Sequence, residues 1–220
     1  CACLVGSEMC IRDRDKLDEN KLIVCLDAGH GGKDNGSDYR LRYEKNDNLK
    51  ITQAVAAYLA DKENIQVIMT RSDDTFLSLE ERTSFANQNN ADYFVSLHRN
   101  TGEGNGVETW IRSDADDKTQ ALAKNIMDNL DAAGISRNRG VKKGTQKSES
   151  KDYYVNLHTN MPACIVELGF MNSPTDNQLF DANVENYAKA IGDAVLKTYE
   201  AYGKDGADAC LLYTSDAADD

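Results

Sequence analysis

The sequence predicts a single layered α/β domain with a mostly parallel, twisted sheet flanked by helices. Three observations carry that expectation. Short apolar runs of strand length alternate with stretches of helical apolar spacing, the pattern of parallel strands joined by crossover helices. His30, His98 and Glu167 all fall at or near the carboxyl ends of such runs, where open α/β sheets bind their ligands. Neither an internal repeat nor a dividing linker interrupts the alternation over 220 residues.

The first strand, Lys21–Asp27 (KLIVCLD), runs into the glycine-rich turn DAGHGG. A polar loop continues to Glu44. Leu49, Val55, Tyr58 and Leu59 then share one helical face, with Asp47 placed as the N-cap. Ile65–Thr70 is the next strand. Ser78 and Glu81 have the spacing of a capping box for a helix through Asn89, with Leu79, Arg82 and Phe85 in register. Tyr93–His98 and Val107–Ile111 are the third and fourth strands. A helix over Asp117–Ala133 turns Leu122, Ile126 and Leu130 inward and stops at Gly134. Ser136–Asp152 is polar and basic and reads as an exposed loop. Ala163–Gly169 has the β-branched density of a central strand, and a helix over Val184–Tyr202 closes the domain.

Composition excludes several classes. With 40% hydrophobic and 28% charged residues the chain can bury an ordinary soluble core. A net charge of -12 is opposite to what phosphate neutralisation requires, and the basic stretch Arg137 to Lys147 is short, so nucleic acid is not an expected partner. No apolar run reaches the roughly 20 residues that span a bilayer. Residues 1–14 and 210–220 lack any amphipathic period and resemble translated sequencing-adapter sequence, which leaves residues 20–203 as the expected domain. Cys1, Cys3, Cys10 and Cys210 lie in those ends. Cys25 and Cys164 sit inside apolar runs and read as buried thiols rather than a disulfide.

The chain has 3 histidines. His30 lies in a glycine-rich turn, where small neighbours let an ion and a substrate approach the backbone. His98 closes an apolar strand, a poor place for a polar ring without a partner. Two histidines and a carboxylate, with one position left open, suit a hydrolytic metal ion. Glu44 stands at the mouth of the following helix, but on composition Asp34 and Asp38 compete with it for that role. Glu167 interrupts the apolar run CIVELGF. An unpaired carboxylate there is forced towards its neutral form, which suits a general base beside activated water as well as it suits a structural ion pair. His158 reads as a loop or strand-edge residue, with a place in the wall of the site as the alternative.

The blocks LDAGHGGKDNGS, YEKNDNLKI, VIMTRSDDTFLSLEERTSFAN, ADYFVSLHRN, GVETW and MPACIVELGFMNSPTDNQLF occur in one order over nearly all of residues 21–200. In order and spacing they resemble zinc-dependent N-acetylmuramoyl-L-alanine amidases. The resemblance implies one Zn2+ held by His30, Glu44 and His98, with Glu167 as the catalytic glutamate. It implies hydrolysis, by a zinc-activated water, of the amide between N-acetylmuramic acid and L-alanine in bacterial peptidoglycan. The expected enzyme is a monomer acting outside the cell membrane, in the wall or periplasm. Asn48, Arg71, Arg82 and Asn100 fall on recurrent positions and are assigned scaffold or substrate-positioning roles, and Asp27 is placed either to orient His30 or to serve the turn at the strand end. Arg99 and Thr101 replace the small residues usual beside Asn100 and are expected to alter the rim of the cleft. A zinc peptidase or carboxypeptidase acting on another wall amide, or a non-catalytic wall-binding module, would share much of this pattern.

Overall fold

The computed structural model describes residues 21–147 and 151–203, so both adapter-like ends lie outside the described residues. A six-stranded sheet has the order β4-β1-β5-β8-β6-β7. Its strands are β1 (Leu22–Ala28), β4 (Ile65–Met69), β5 (Tyr93–Asn100), β6 (Val107–Ile111), β7 (Asn138–Lys143) and β8 (Ala163–Phe170). A small hairpin, β2 (Asp38–Tyr39) with β3 (Arg42–Tyr43), lies outside the sheet. All pairings in the large sheet are parallel except β6 against β8.

The helices are α1 (Glu44–Ala60), α2 (Leu79–Gln88), α3 (Asp117–Ala132), α4 (Tyr154–His158) and α5 (Pro174–Tyr202). Every residue of β1 is buried, because both faces of the sheet are covered. Leu22, Val24 and Leu26 point to one face, under Ile51 and Val55 of α1, Leu122 and Ile126 of α3, and Ile191 of α5. Ile23 and Cys25 point to the other, with Phe94, Ile165, Ala86 of α2 and Val155 of α4. Cys25 and Cys164 are both buried and free. They lie on strands separated by β5 and belong to opposite core layers, so no disulfide can join them. Among the described residues no helix is long and apolar enough to cross a membrane.

Several sequence expectations need correction. Ser136–Asp152 is not simply a loop, because it contains β7. That strand lies at the sheet edge, only half-buried, with Val141 as its one apolar residue and Gly140 at φ +77, so no alternating pattern marked it. Asp47 does not cap α1. The helix starts earlier, at Glu44 after Tyr43, and Asp47 is held inside it by Arg42 and Arg99. The last helix begins at Pro174, behind the Ser173 cap, and is kinked at Asn183, so the expected segment from Val184 is its second part. His158 ends the short helix α4. The Ser78–Glu81 capping box forms as its spacing requires.

Candidate metal centre

The carboxyl ends of β1, β5 and β8 converge on one cavity of about 520 Å³. His30 follows β1 in the glycine turn and has φ +62, a left-handed conformation costing on the order of 1–3 kcal/mol for a residue with a side chain. That backbone is held by two arginines. Arg71 donates to the carbonyls of Ala28, Gly29, Lys45 and Asp73 at 2.8–2.9 Å, tying the turn to the start of α1. Arg82 donates to the carbonyls of Ala28 and His30, each at 2.8 Å, and to the Asp27 carboxylate at 2.7 Å.

The glycines of the turn make room for side chains of the site itself. A Cβ on Gly29 would lie 2.1 Å from Cε1 of His98. One on Gly36 would lie 2.6 Å from both Oε2 of Glu44 and Cδ2 of His30. The imidazole of His98 and the Glu44–His30 contact therefore occupy the volumes those glycines leave free.

Glu44 opens α1 and is buried between the two rings. Its Oε1 lies 3.0 Å from Nδ1 of His98 and 3.3 Å from Nε2 of His30. Oε1 also accepts the Arg99 N–H at 3.1 Å and Nδ2 of Asn48 at 3.3 Å, while Oε2 accepts the Ser37 N–H at 2.8 Å. Burial alone would raise its pKa. Hydrogen bonds and charge from His30 and His98 outweigh that and hold it far below the carboxylate range. Burial likewise works against protonation of His30, but Glu44 and then Asp34 raise its pKa to about 9. The donor atoms of His30, Glu44 and His98 lie within 4.8 Å of one another, so these three side chains could hold one metal ion. Of the carboxylates that compete on composition, the structure brings Glu44 between the rings. Asp34 instead sits behind His30, with its Oδ2 2.8 Å from Nδ1, and Asp38 is exposed on β2.

Glu167 stands directly opposite His98 across the β5–β8 pairing. It is the one residue of β8 that is not fully buried, because its carboxyl reaches the cavity. Its Oε2 is nonetheless screened from solvent and has no hydrogen-bond partner. Burial first, then the charges of Glu44 and Glu108, raise its pKa to about 7 against the pull of His98.

The remaining expected residues sort differently. Asn48 braces Glu44 and the Gly29 carbonyl. Asn100 lines the cavity and donates to Glu108 at 2.8 Å. Asp27 does not orient His30 directly. Its carboxylate is taken up by Thr70, Ser96 and Arg82, and Asp34 is the group that meets the ring. The Arg99 side chain does not shape the cleft rim. It points to the other side of the strand, fully buried against Asp47, Asn177 and the Phe180 ring. Sequence reasoning missed Glu108, which faces Glu167 from β6 and is buried with Arg139, Asn100 and Trp110 as donors. A glutamate inside the apolar run VETWI is the same signal that singled out Glu167.

A cluster able to share one cation, next to a carboxyl with no fixed partner, is what enzymes that activate water for bond cleavage need. Comparison with known proteins places the chain among such hydrolases. Residues 24–197 match the family described as N-acetylmuramoyl-L-alanine amidase, and the chain belongs to that family. The uncharacterized protein YqiI of Bacillus subtilis (strain 168) is 36% identical over 182 residues, covering 81% of this chain and 84% of that protein. The sporulation-specific N-acetylmuramoyl-L-alanine amidase of the same organism is 31% identical over 154 residues, covering 70% of this chain and 58% of that one. The chain thus spans little more than half of that longer relative. The crystal structure of an N-acetylmuramoyl-L-alanine amidase from Clostridium difficile 630 superposes with a TM-score of 0.77 at 33% identity, over 84% of this chain and all of that one.

Proposed function

We propose that this chain cleaves the amide joining the lactyl group of N-acetylmuramic acid to the L-alanine of the peptidoglycan stem peptide. In this reading one zinc ion is held by His30, Glu44 and His98, and Glu167 carries the proton. The donor set fits zinc: two imidazoles and one carboxylate make three protein ligands and leave a position open. The unpaired Oε2 of Glu167 fits as well, since a buried acceptor without a partner is costly unless something at the site engages it. Zinc bound there would supply Lewis acidity, polarising the scissile carbonyl and making water easier to deprotonate.

The chain's own residues do the rest. Asp34 accepts from Nδ1 of His30 and so turns Nε2 towards the cluster. Ser37, Asn48 and the Arg99 N–H fix the Glu44 carboxylate in one orientation. Glu167, whose Oε2 has no fixed partner, takes a proton from the attacking water and returns it to the alanine nitrogen as that amine departs. The products are a free lactyl carboxylate on the glycan and a peptide with a new amino terminus. The wall is the place of action that this chemistry requires.

The observation that carries the proposal is the free Oε2 of Glu167 beside the three-donor cluster. Glu167→Ala is expected to retain stoichiometric zinc and lose wall hydrolysis by at least about a hundredfold, the scale of a positioned acid–base group. Mass spectrometry of digests made by the unaltered protein should show stem peptides beginning with L-alanine and intact glycan. Near-normal turnover in the variant, or cleavage between stem-peptide residues, overturns the assignment.

A further inference from the structure

The lining of the cavity is mixed in chemistry. Its polar side chains include Ser37, Asn100, Thr101 and Gln146. The segment leading into α2, the start of α2 and α4 add an apolar wall of Phe76, Leu79 and Tyr154. Five large apolar side chains are exposed among the described residues. Four of them, Phe76, Leu79, Tyr154 and Leu157, belong to this wall and its two elements. Apolar surface gathered at the mouth of a site, rather than scattered, marks binding.

This wall is built rigidly onto the candidate metal centre. A Cβ on Gly31 would lie 2.2 Å from the Thr75 carbonyl oxygen, and one on Gly32 would lie 2.8 Å from the Phe76 nitrogen, so the glycine turn is packed directly under the Phe76 segment. Asp74 locks the same segment by accepting from the Gly32 N–H and from Lys45. On the other side, Asn87 of α2 clamps the end of α4 through the His158 carbonyl and the Asn160 N–H. Each aromatic ring is also backed by a neighbour. Lys33 Nζ lies 4.5 Å from the Phe76 centroid, and the His158 ring lies 4.1 Å from that of Tyr154 at 33°.

We propose that Phe76, Leu79 and Tyr154 form the glycan subsite, seating the pyranose faces of the muramic acid residue and its neighbours. The inference rests on the amidase reading of the adjoining centre, whose scissile amide has a sugar on its acyl side and a peptide on the other. A pyranose presents C–H hydrogens along its faces, and the face of an aromatic ring is negative, so the two attract and exclude water between them. The stem peptide carries amide groups that must be hydrogen-bonded where they are buried, which suits the polar side chains of the lining. His158 thereby gains a role, as the support that holds Tyr154 in place.

The test uses the zinc-loaded protein and two probes that it cannot hydrolyse. One is a β-1,4-linked hexamer of N-acetylglucosamine, and the other is the free stem pentapeptide. The hexamer is expected to bind the parent protein and to lose affinity about three- to tenfold in each of Phe76→Ala and Tyr154→Ala, the scale of one aromatic contact. Tyr154→Phe should restore it, and zinc content and pentapeptide affinity should not change. No hexamer binding to the parent, equal hexamer binding in the variants, or loss of the pentapeptide instead would each overturn the assignment. Because binding is read without turnover, hexamer capture by this wall in a protein that never clears wall material would retire the amidase reading and leave the subsite standing.

Discussion

His98 and Glu167 occupy directly opposed positions on adjacent parallel strands, and Glu108 faces Glu167 from the antiparallel strand on its other side. The spacing between a candidate metal ligand and the candidate proton carrier is thus set by sheet register. A slip of one residue would turn the carboxyl to the opposite face, so the hydrophobic alternation that fixes the sheet also fixes the site.

Placing Glu167 in that row has a consequence for stability in the metal-free protein. Its pKa is raised from 4.5 to about 7, so between those values the unfolded chain has lost a proton that the native protein keeps. Stability therefore falls as pH rises through this window, by about 3 kcal/mol in total, and the contribution is fully present only below the unfolded value. Urea unfolding of chelator-treated protein from pH 4.5 to 8 should show that decline. Glu167→Gln should make the decline shallower, leaving the part that His30 contributes above pH 6.5, and be the more stable of the two at pH 8. Parallel pH profiles for both proteins would show that Glu167 does not titrate there.

Gly29→Ala tests whether the glycine turn exists to house His98. The added methyl would meet the imidazole at 2.1–2.6 Å, and no positive φ is at stake there, so the nearest conflict is with the ring. Zinc affinity is expected to drop by at least about tenfold, measured by chelator competition, while the far-ultraviolet circular dichroism spectrum stays native. Unchanged affinity would mean that the ring has another place to go.

Much of this arrangement was legible in the sequence, and the failures have physical causes. Strands β1, β5, β6 and β8 announced themselves because each is a nearly unbroken apolar run buried on both faces. The edge strand β7 and the hairpin β2–β3 did not, since neither buries enough apolar surface to leave a pattern. Glu167 and His98 stood out as polar groups in apolar runs. Glu44 did not, because a glutamate at a helix start is ordinary, and only its position between two rings distinguishes it. Arg99 misled for the opposite reason. Alternation along β5 sends it to the face away from the cavity, where Asp47 neutralises it.

Arg82 and Asp27 form an ion pair with both side chains almost completely buried. Burial would raise the Asp27 pKa, but the charge of Arg82 and hydrogen bonds from Ser96, Thr70 and Arg82 itself depress it. Arg82→Ala leaves the carboxylate without its cation and should cost about 3–5 kcal/mol in denaturant unfolding at pH 7. The sign with pH follows from the depressed value: the stabilisation is present above the unfolded carboxyl pKa and is lost as pH falls through the folded one. The variant should therefore show a flatter acid limb than the parent. A loss below about 1 kcal/mol would indicate that Thr70 and Ser96 suffice.

Asp34 and Asp38 flank the same turn, and their expected behaviour separates support of a ligand from mere proximity. Asp34 Oδ2 meets Nδ1 of His30 at 2.8 Å, and Oδ1 accepts the Gly36 N–H at 3.0 Å, so one side chain both aims the ring and shapes the turn. Removing it frees the imidazole to rotate and deprives the ring of the acceptor that fixes its tautomer. Asp34→Ala should weaken zinc binding about 10- to 100-fold, the range typical of groups that orient a metal-bound histidine. Asp34→Asn keeps a single acceptor oxygen, enough for the His30 ring or the Gly36 N–H but not for both, so its loss should be smaller than that of Asp34→Ala but not nil. Asp38 is exposed on β2, and Asp38→Ala should bind zinc as the parent does. Competition with a chromophoric chelator resolves all three. If Asp38→Ala weakened binding as much as Asp34→Ala, the acidity of the loop as a whole would be what attracts the ion, and the specific support of His30 by Asp34 would be excluded.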